Sequence, residues 1–114
     1  MASEHLDIFD IQLDDFETLV LQASRQRPVL VDFWADWCPP CLAIAPVLQT
    51  VVKESAGAVA LAKLEVDEGE NMKLAGRYQV RGFPTIILFR DGAEQARFSG
   101  AQTRTFIEDF IDAH

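Results

Sequence analysis

The sequence is short of positive charge, and it has no long hydrophobic run. It holds 10 lysine and arginine residues against 18 aspartate and glutamate residues, which gives a formal net charge of -8. Nucleic acids and anionic membrane surfaces attract basic proteins, so we expect neither as a partner. No apolar stretch approaches the roughly 20 residues that a membrane span needs.

No secretory signal is visible in the sequence, and its cysteines do not suggest a disulfide framework. The first ten residues, MASEHLDIFD, lack both a basic start and an apolar core. The two cysteines are three positions apart, and such a pair is not the disulfide framework of a small secreted protein. These features predict a cytoplasmic protein. With 49% hydrophobic and 25% charged residues and no linker, we expect a single domain over residues 1–114.

The apolar pattern alternates between strands and helices in the order β-α-β-α-β-α-β-β-α. Strands are predicted at residues 8–12, 29–35, 59–67, 85–90 and 94–99, and helices from 14, over 39–55, around 70–78 and from 103. Successive βαβ units indicate a parallel sheet with right-handed crossovers, and an Asp91-Gly92 turn adds an antiparallel hairpin. The sequence therefore predicts an α/β fold.

Two of the predicted helices carry more detailed expectations. The first begins at a capping aspartate, Asp14 or Asp15. Its apolar side chains recur at helical spacing at Phe16, Leu19, Val20 and Ala23. The second has apolar positions at Leu42, Ile44, Ala45, Val47, Leu48, Val51 and Val52. Pro46 lies inside this second helix, where it should remove one backbone hydrogen bond and kink the axis.

Both cysteines lie in the stretch FWADWCPPC, where a buried strand passes into a helix. Pro39 suits the first helical position, so Cys38 is predicted at the helix N-terminus. The helix dipole and free N–H groups stabilise an anion there, and the thiolate is the attacking form in disulfide exchange. Cys41 lies one turn later on the same face, close enough to form a disulfide with Cys38. The pair can attack a partner disulfide with Cys38 and release the mixed disulfide with Cys41.

Two other interpretations of the cysteine pair stay open. The cysteines can be buried or incidental, without a redox role. They can also bind zinc, but two thiolates need about two further ligands. The two histidines, His5 and His114, lie near opposite ends of the chain. We therefore favour dithiol chemistry and expect no metal.

The stretches VDFWADWCPPC, RGFPT and SGA resemble the thioredoxin family, and the resemblance covers essentially the whole chain. It implies a thioredoxin fold, with a central five-stranded mixed β-sheet flanked by four α-helices. It also implies a protein-disulfide reductase that acts on disulfide-containing proteins and binds no cofactor. The electrons would come from a flavin- and NADPH-dependent thioredoxin reductase.

The resemblance gives roles to Asp32 and Lys63. A carboxylate inside an apolar strand is unfavourable, and burial should raise its pKa towards the working pH. The family implies that Asp32 lies under the disulfide and accepts the proton of Cys41, and that Lys63 faces Asp32. The alternatives are a hydrogen-bonded structural aspartate and a lysine whose charged end stays in solvent.

The resemblance also makes Pro84 a cis-proline opposite the active site, the alternative being an ordinary trans turn. The loop would then offer the backbone of Phe83 to a substrate chain, as in strand addition. The implied rim around Cys38 consists of Trp37, Gly82, Phe83, Gly100 and Ala101. Trp34 is expected to pack beneath the site.

The chain departs from the usual family pattern at four positions. Proline stands at both positions between the cysteines, Leu42 replaces a common lysine, Phe83 replaces an aliphatic residue, and Ser99 replaces a valine. These differences bear on the choice of partner and on the redox poise.

Two functions are compatible with the sequence: a free disulfide reductase, or a client-binding module of a larger co-chaperone with little turnover. Oxidase and isomerase roles fit less well, because they belong to secretory compartments.

Overall fold

A computed structural model describes residues 6–114 of the chain. The strands are β1 (Ile8–Asp10), β2 (Val29–Trp34), β3 (Ala60–Glu65), β4 (Thr85–Arg90) and β5 (Ala93–Ser99). The α-helices are α1 (Pro39–Glu54), α2 (Met72–Arg77) and α3 (Arg104–Ala113). Over the described residues, no helix combines the length and the hydropathy that crossing a membrane requires.

The five strands form one mixed sheet in the order β1-β3-β2-β4-β5. β1 and β2 pair in parallel with β3, whereas β4 is antiparallel to both β2 and β5. Asp91 and Gly92 connect β4 to β5 with φ values of 56° and 84°, as the twist of a two-residue hairpin requires. The predicted α/β fold and its five-stranded mixed sheet are confirmed, and strand ends differ from the prediction by at most two residues.

Each face of the sheet buries its own apolar cluster. Side chains alternate along a strand, so Val31 and Phe33 of β2 face one cluster while Leu30 faces the other. The second cluster includes Ile44 and Leu48 from α1. β2 is therefore buried on both faces, as its nearly continuous apolar sequence predicts.

The helical segment between β1 and β2 differs from the prediction of one α-helix. It consists of a 3-10 turn (Leu13–Asp15), a π-helical stretch (Glu17–Gln22) and a second 3-10 turn (Ala23–Arg25). Gln12 takes the N-cap position in place of an aspartate, and its N–H donates to the Asp15 carboxylate at 2.8 Å. Phe16 and Val20 are still buried. Phe16 and Val20 are four positions apart, a spacing that keeps two side chains on one face in an α-helix and also in the wider turn of a π-helix.

α1 continues through Pro46 and ends at Glu54. Ala56 and Gly57, which follow, have positive φ, as is common where a helix stops. The buried side chains of the helix are Cys41, Ile44, Leu48, Val51 and Val52. Leu42, one of the apolar positions of this helix, is not among them and is 53% exposed.

β5 contains a β-bulge. The register of its pairing with β4 shifts between Leu88 and Phe89, so that Gln95 is the extra residue. The extra residue brings Glu94 and Arg97 onto the same face. There the guanidinium donates two hydrogen bonds, of 2.6 and 2.7 Å, to the carboxylate.

Candidate active site

The two cysteines lie where the chain passes from β2 to α1. Cys38 is the N-cap residue of α1, and Pro39 and Pro40 are the first helical residues. Proline is tolerated there because the first N–H groups of a helix have no partner within the helix. Cys38 and Cys41 form a disulfide, with Cα atoms 5.3 Å apart. The three-residue spacing predicts this pairing.

The sulfur of Cys38 accepts the backbone N–H of Cys41 at 3.2 Å. Pro39 and Pro40 have no N–H to donate, so Cys41 supplies the first backbone donor of the helix. This donor and the helix dipole both favour negative charge on the Cys38 sulfur. In the disulfide form both cysteines are buried, Cys38 being 4% and Cys41 1% exposed.

Asp32 lies in the middle of β2 and is 1% exposed. It shares with Leu30 the sheet face that α1 covers. Lys63 is its neighbour in β3. Burial raises the pKa of Asp32 to about 7, and the positive charge of Lys63 opposes this rise. Among the described residues, the Oδ1 atom of Asp32 has no hydrogen-bond partner. That oxygen therefore gives no support to a hydrogen-bonded structural aspartate.

The ammonium group of Lys63 lies 5.3 Å from the centre of the Trp34 ring. Both residues line an open cavity of about 350 Å³, which Asp10, Glu65 and Glu68 also line. Trp34 packs against the apolar cluster that contains both cysteines, as expected of a residue beneath the site. A larger cavity, of about 510 Å³, lies against β1, and neither cysteine lines it.

The loop before β4 contains a cis peptide bond between Phe83 and Pro84, as the family resemblance implies. Thr85 donates its hydroxyl to the Gly82 carbonyl at 2.6 Å, and the Gly100 N–H donates to the Pro84 carbonyl at 3.0 Å. Within the described part of the chain, no backbone hydrogen bond involves Phe83. Its N–H and C=O are therefore available to an extended partner segment.

Trp37 follows β2 and is 62% exposed. Its indole N–H donates to the Asp67 carboxylate at 2.5 Å. Its ring meets the ring of Phe83 edge-on, with centres 6.1 Å apart, a favourable aromatic geometry. Both contacts orient the indole beside Cys38. Asp67 is not predicted from the sequence, because no local pattern connects it with a tryptophan 30 positions earlier.

The remaining rim residues have small side chains or none, so their backbone is not covered by side chains of their own. Gly82 and Ala101 are exposed, and Gly100 has a φ of 83°, which favours glycine. A Cβ atom added at Gly82 or Gly100 would have no other atom within 4 Å. The hydroxyl of Ser99 lies 3.2 Å from that of Thr85. Since Thr85 already donates to a carbonyl, Ser99 is the donor in this contact.

Metal binding has no geometric support within residues 6–114. No group of three or more histidine, cysteine, aspartate or glutamate side chains there is arranged to hold a metal ion. His5, one of the two histidines in the zinc interpretation, lies outside the described residues.

Comparison with known proteins identifies a family for the chain. The family profile described as Thioredoxin matches residues 7–113. A thioredoxin of Pseudomonas aeruginosa is 43% identical over 112 residues, which cover 98% of this chain and 98% of that protein. A thioredoxin of Mycolicibacterium smegmatis is 47% identical over 101 residues, or 88% of each chain. One of Acidithiobacillus ferridurans is 43% identical over 100 residues, covering 88% of this chain and 89% of its own.

Proposed function

Since the chain belongs to the thioredoxin family and is a thiol–disulfide oxidoreductase that reduces protein disulfides, we propose that Cys38 attacks the partner and Cys41 completes the exchange. One observation carries this assignment: Cys38 is the N-cap of α1, and its sulfur accepts the Cys41 N–H at 3.2 Å. Negative charge is stabilised at a helix N-terminus. The thiolate, and not the thiol, is the nucleophile.

The reaction has two exchange steps. The Cys38 thiolate attacks one sulfur of the partner disulfide, forms a mixed disulfide and expels the other partner sulfur as a thiolate. Cys41 loses its proton and attacks the Cys38 sulfur, which forms the intramolecular disulfide and expels the second partner sulfur. The partner gains two electrons and, on protonation, two thiols. The chain loses the same two electrons.

Asp32 is proposed as the base that accepts the Cys41 proton. Its pKa of about 7 lies where a carboxylate can both accept and return a proton near neutral pH. Asp32 lies on the sheet face covered by α1, and Cys41 lies in the first turn of that helix, where its side chain packs with the cluster of the opposite face. Lys63 is the cross-strand neighbour of Asp32 and holds the pKa of Asp32 below the value that burial alone would give.

Partner segments are proposed to bind at the cis-proline loop. Phe83 contributes its free backbone groups, and Trp37 contributes an exposed ring next to Cys38. An extended segment that bonds to the Phe83 backbone would lie across the disulfide in the manner of an added strand. The rest of the proposed binding surface consists of Gly82, Gly100 and Ala101, together with Pro84, which is itself buried.

Proteins of this family need no bound cofactor. We propose that an NADPH-dependent thioredoxin reductase returns the two electrons, and that the partners are disulfide-containing proteins of the cytoplasm. We also propose one domain over residues 1–114. The net charge of -8 gives no attraction to nucleic acid or to anionic membranes.

The test is insulin reduction with NADPH and thioredoxin reductase, followed by trapping of partners. The wild-type protein should turn over, and Cys38→Ser and Cys41→Ser should both abolish turnover. Only Cys41→Ser should accumulate mixed disulfides, because Cys38 can still attack while no thiol resolves the product. Accumulation with Cys38→Ser instead would reverse the two roles. Binding of partners by the wild-type protein without turnover would indicate the client-binding module.

A further inference from the structure

Leu42 is an exposed leucine one helical turn from the reacting sulfur. Its backbone N–H donates to the Cys38 carbonyl at 3.2 Å, which is the bond between positions four apart in a helix. Leu42 therefore lies one turn from Cys38, which as the N-cap residue has extended backbone angles. The Leu42 side chain is 53% exposed. It therefore borders Cys38 on the helix side, while Trp37 borders it on the loop side.

The stretch of α1 that contains Leu42 carries no charge. The 12 residues from Pro39 to Thr50 include no charged residue, although charged residues make up 25% of the chain. Pro39, Pro40, Leu42, Ala43, Pro46 and Thr50 are the exposed positions of this stretch. Depletion of charge around an apolar residue is typical of the centre of a protein interface.

The chemistry of the disulfide determines what covers this surface. A partner cysteine must touch Cys38, and its chain neighbours lie within about 3.8 Å per residue of it. A residue beside the reacting cysteine therefore reaches the position of Leu42. If that residue is charged or strongly polar, it loses its water of hydration against a leucine, and residues 39–50 of α1 offer it no charged group in exchange.

We propose that Leu42 is a specificity-determining residue that contacts an apolar side chain next to the reacting cysteine of the substrate protein. The inference rests on the proposed role of Cys38 as the attacking residue. It adds a substrate class: disulfides whose cysteines are flanked by residues such as leucine are reduced faster than those flanked by polar residues.

The test uses two peptides, each with one intramolecular disulfide, that differ only in the residue after each cysteine, which is leucine or glutamine. Leucine and glutamine are both uncharged, so the net charge of the protein cannot cause a difference between the rates of the two peptides. We expect the wild-type protein to reduce the leucine peptide with about a tenfold higher kcat/KM, the usual scale for one apolar contact. Leu42→Gln should lower this preference to near one.

Ala43→Gln is the matched control, because Ala43 is the next exposed position of α1 but lies on a different face. It should keep the wild-type preference. Equal rates for the two peptides with the wild-type protein, or equal loss of preference in both variants, would overturn the inference while leaving the proposed function intact. Failure of the wild-type protein on both peptides and on dithiobisnitrobenzoate, a small disulfide, would instead contradict the proposed function. Concentration-dependent self-association that Leu42→Gln abolishes would assign the surface to a second copy and also overturn the inference.

Discussion

Replacement of Asp32 by asparagine should stabilise the oxidised protein above neutral pH and slow its turnover. Asp32 is 1% exposed, its Oδ1 atom has no partner within the described residues, and burial raises its pKa from 3.8 to about 7. The folded protein therefore binds this proton more tightly than the unfolded chain. Ionisation of Asp32 opposes folding, so stability falls as the pH rises between about 4 and 7.

The magnitude follows from the two pKa values. A rise from 3.8 to about 7 corresponds to about 4 kcal/mol of stability lost above pH 7, at about 1.4 kcal/mol per pH unit. Water entry and relaxation reduce such costs in real proteins. We therefore expect Asp32→Asn to gain about 1 to 3 kcal/mol at pH 8, the scale of a poorly satisfied buried polar group, and almost nothing at pH 4. Asparagine is of similar size and carries no charge at either pH.

The assay is urea unfolding of the wild-type protein and the variant at both pH values with the disulfide intact, alongside insulin reduction. Asp36→Asn is the control, because Asp36 is an exposed aspartate close to the same site. It should leave the pH dependence of stability as in the wild-type protein. If Asp32→Asn proved equally stable or less stable at both pH values and turned over normally, Asp32 would be a structural residue and the reasoning would be refuted.

Three further predictions concern the active site and the core. In the reduced protein, iodoacetamide should modify Cys38 before Cys41, because the N-cap sulfur is the nucleophile; peptide mapping that finds Cys41 modified first would reverse the roles. Pro39→Gly combined with Leu42→Lys adds an N–H donor and a cation near the Cys38 thiolate, which should stabilise the reduced form. The protein should therefore become a weaker reductant, by about tenfold in its equilibrium with glutathione. A more reducing double variant would mean that the prolines act in another way. Leu48→Ala should lower the free energy of unfolding in urea by about 2 to 5 kcal/mol, since Leu48 is fully buried. Leu42→Ala should lower it by under about 1 kcal/mol. Equal losses would contradict the assignment of buried and exposed faces of α1.

The sheet could be predicted from the sequence because its signals are local. The run from Val29 to Trp34 is almost wholly apolar, and the Asp91-Gly92 turn lies between two strand patterns. Each feature depends on neighbours within a few residues. The place of Cys38 at the N-terminus of α1 could also be predicted from the sequence, because a strand followed by Pro39 fixes the start of the helix.

Features that depend on distant residues could not be predicted in the same way. The Trp37–Asp67 hydrogen bond joins two loops that only the completed sheet brings together. The π-helical stretch has the same apolar spacing as an α-helix, so the hydrophobic pattern of the sequence does not distinguish the two helix types. Leu42 is an apolar residue in an apolar helix, and only the packed structure shows that it faces solvent. Hydrophobicity predicts burial when a neighbouring element exists to provide it.

The bulge in β5 has a consequence for self-association. β5 is the longer of the two edge strands, and an edge strand presents N–H and C=O groups with which a second sheet can pair, a common start of aggregation. The extra residue Gln95 interrupts the regular spacing of those groups and increases the local twist. The Glu94–Arg97 ion pair adds two charges that an incoming strand would have to strip of water. A flat strand from another molecule therefore meets both a mismatched register and a desolvation cost at this edge, which disfavours cross-β stacking at high protein concentration.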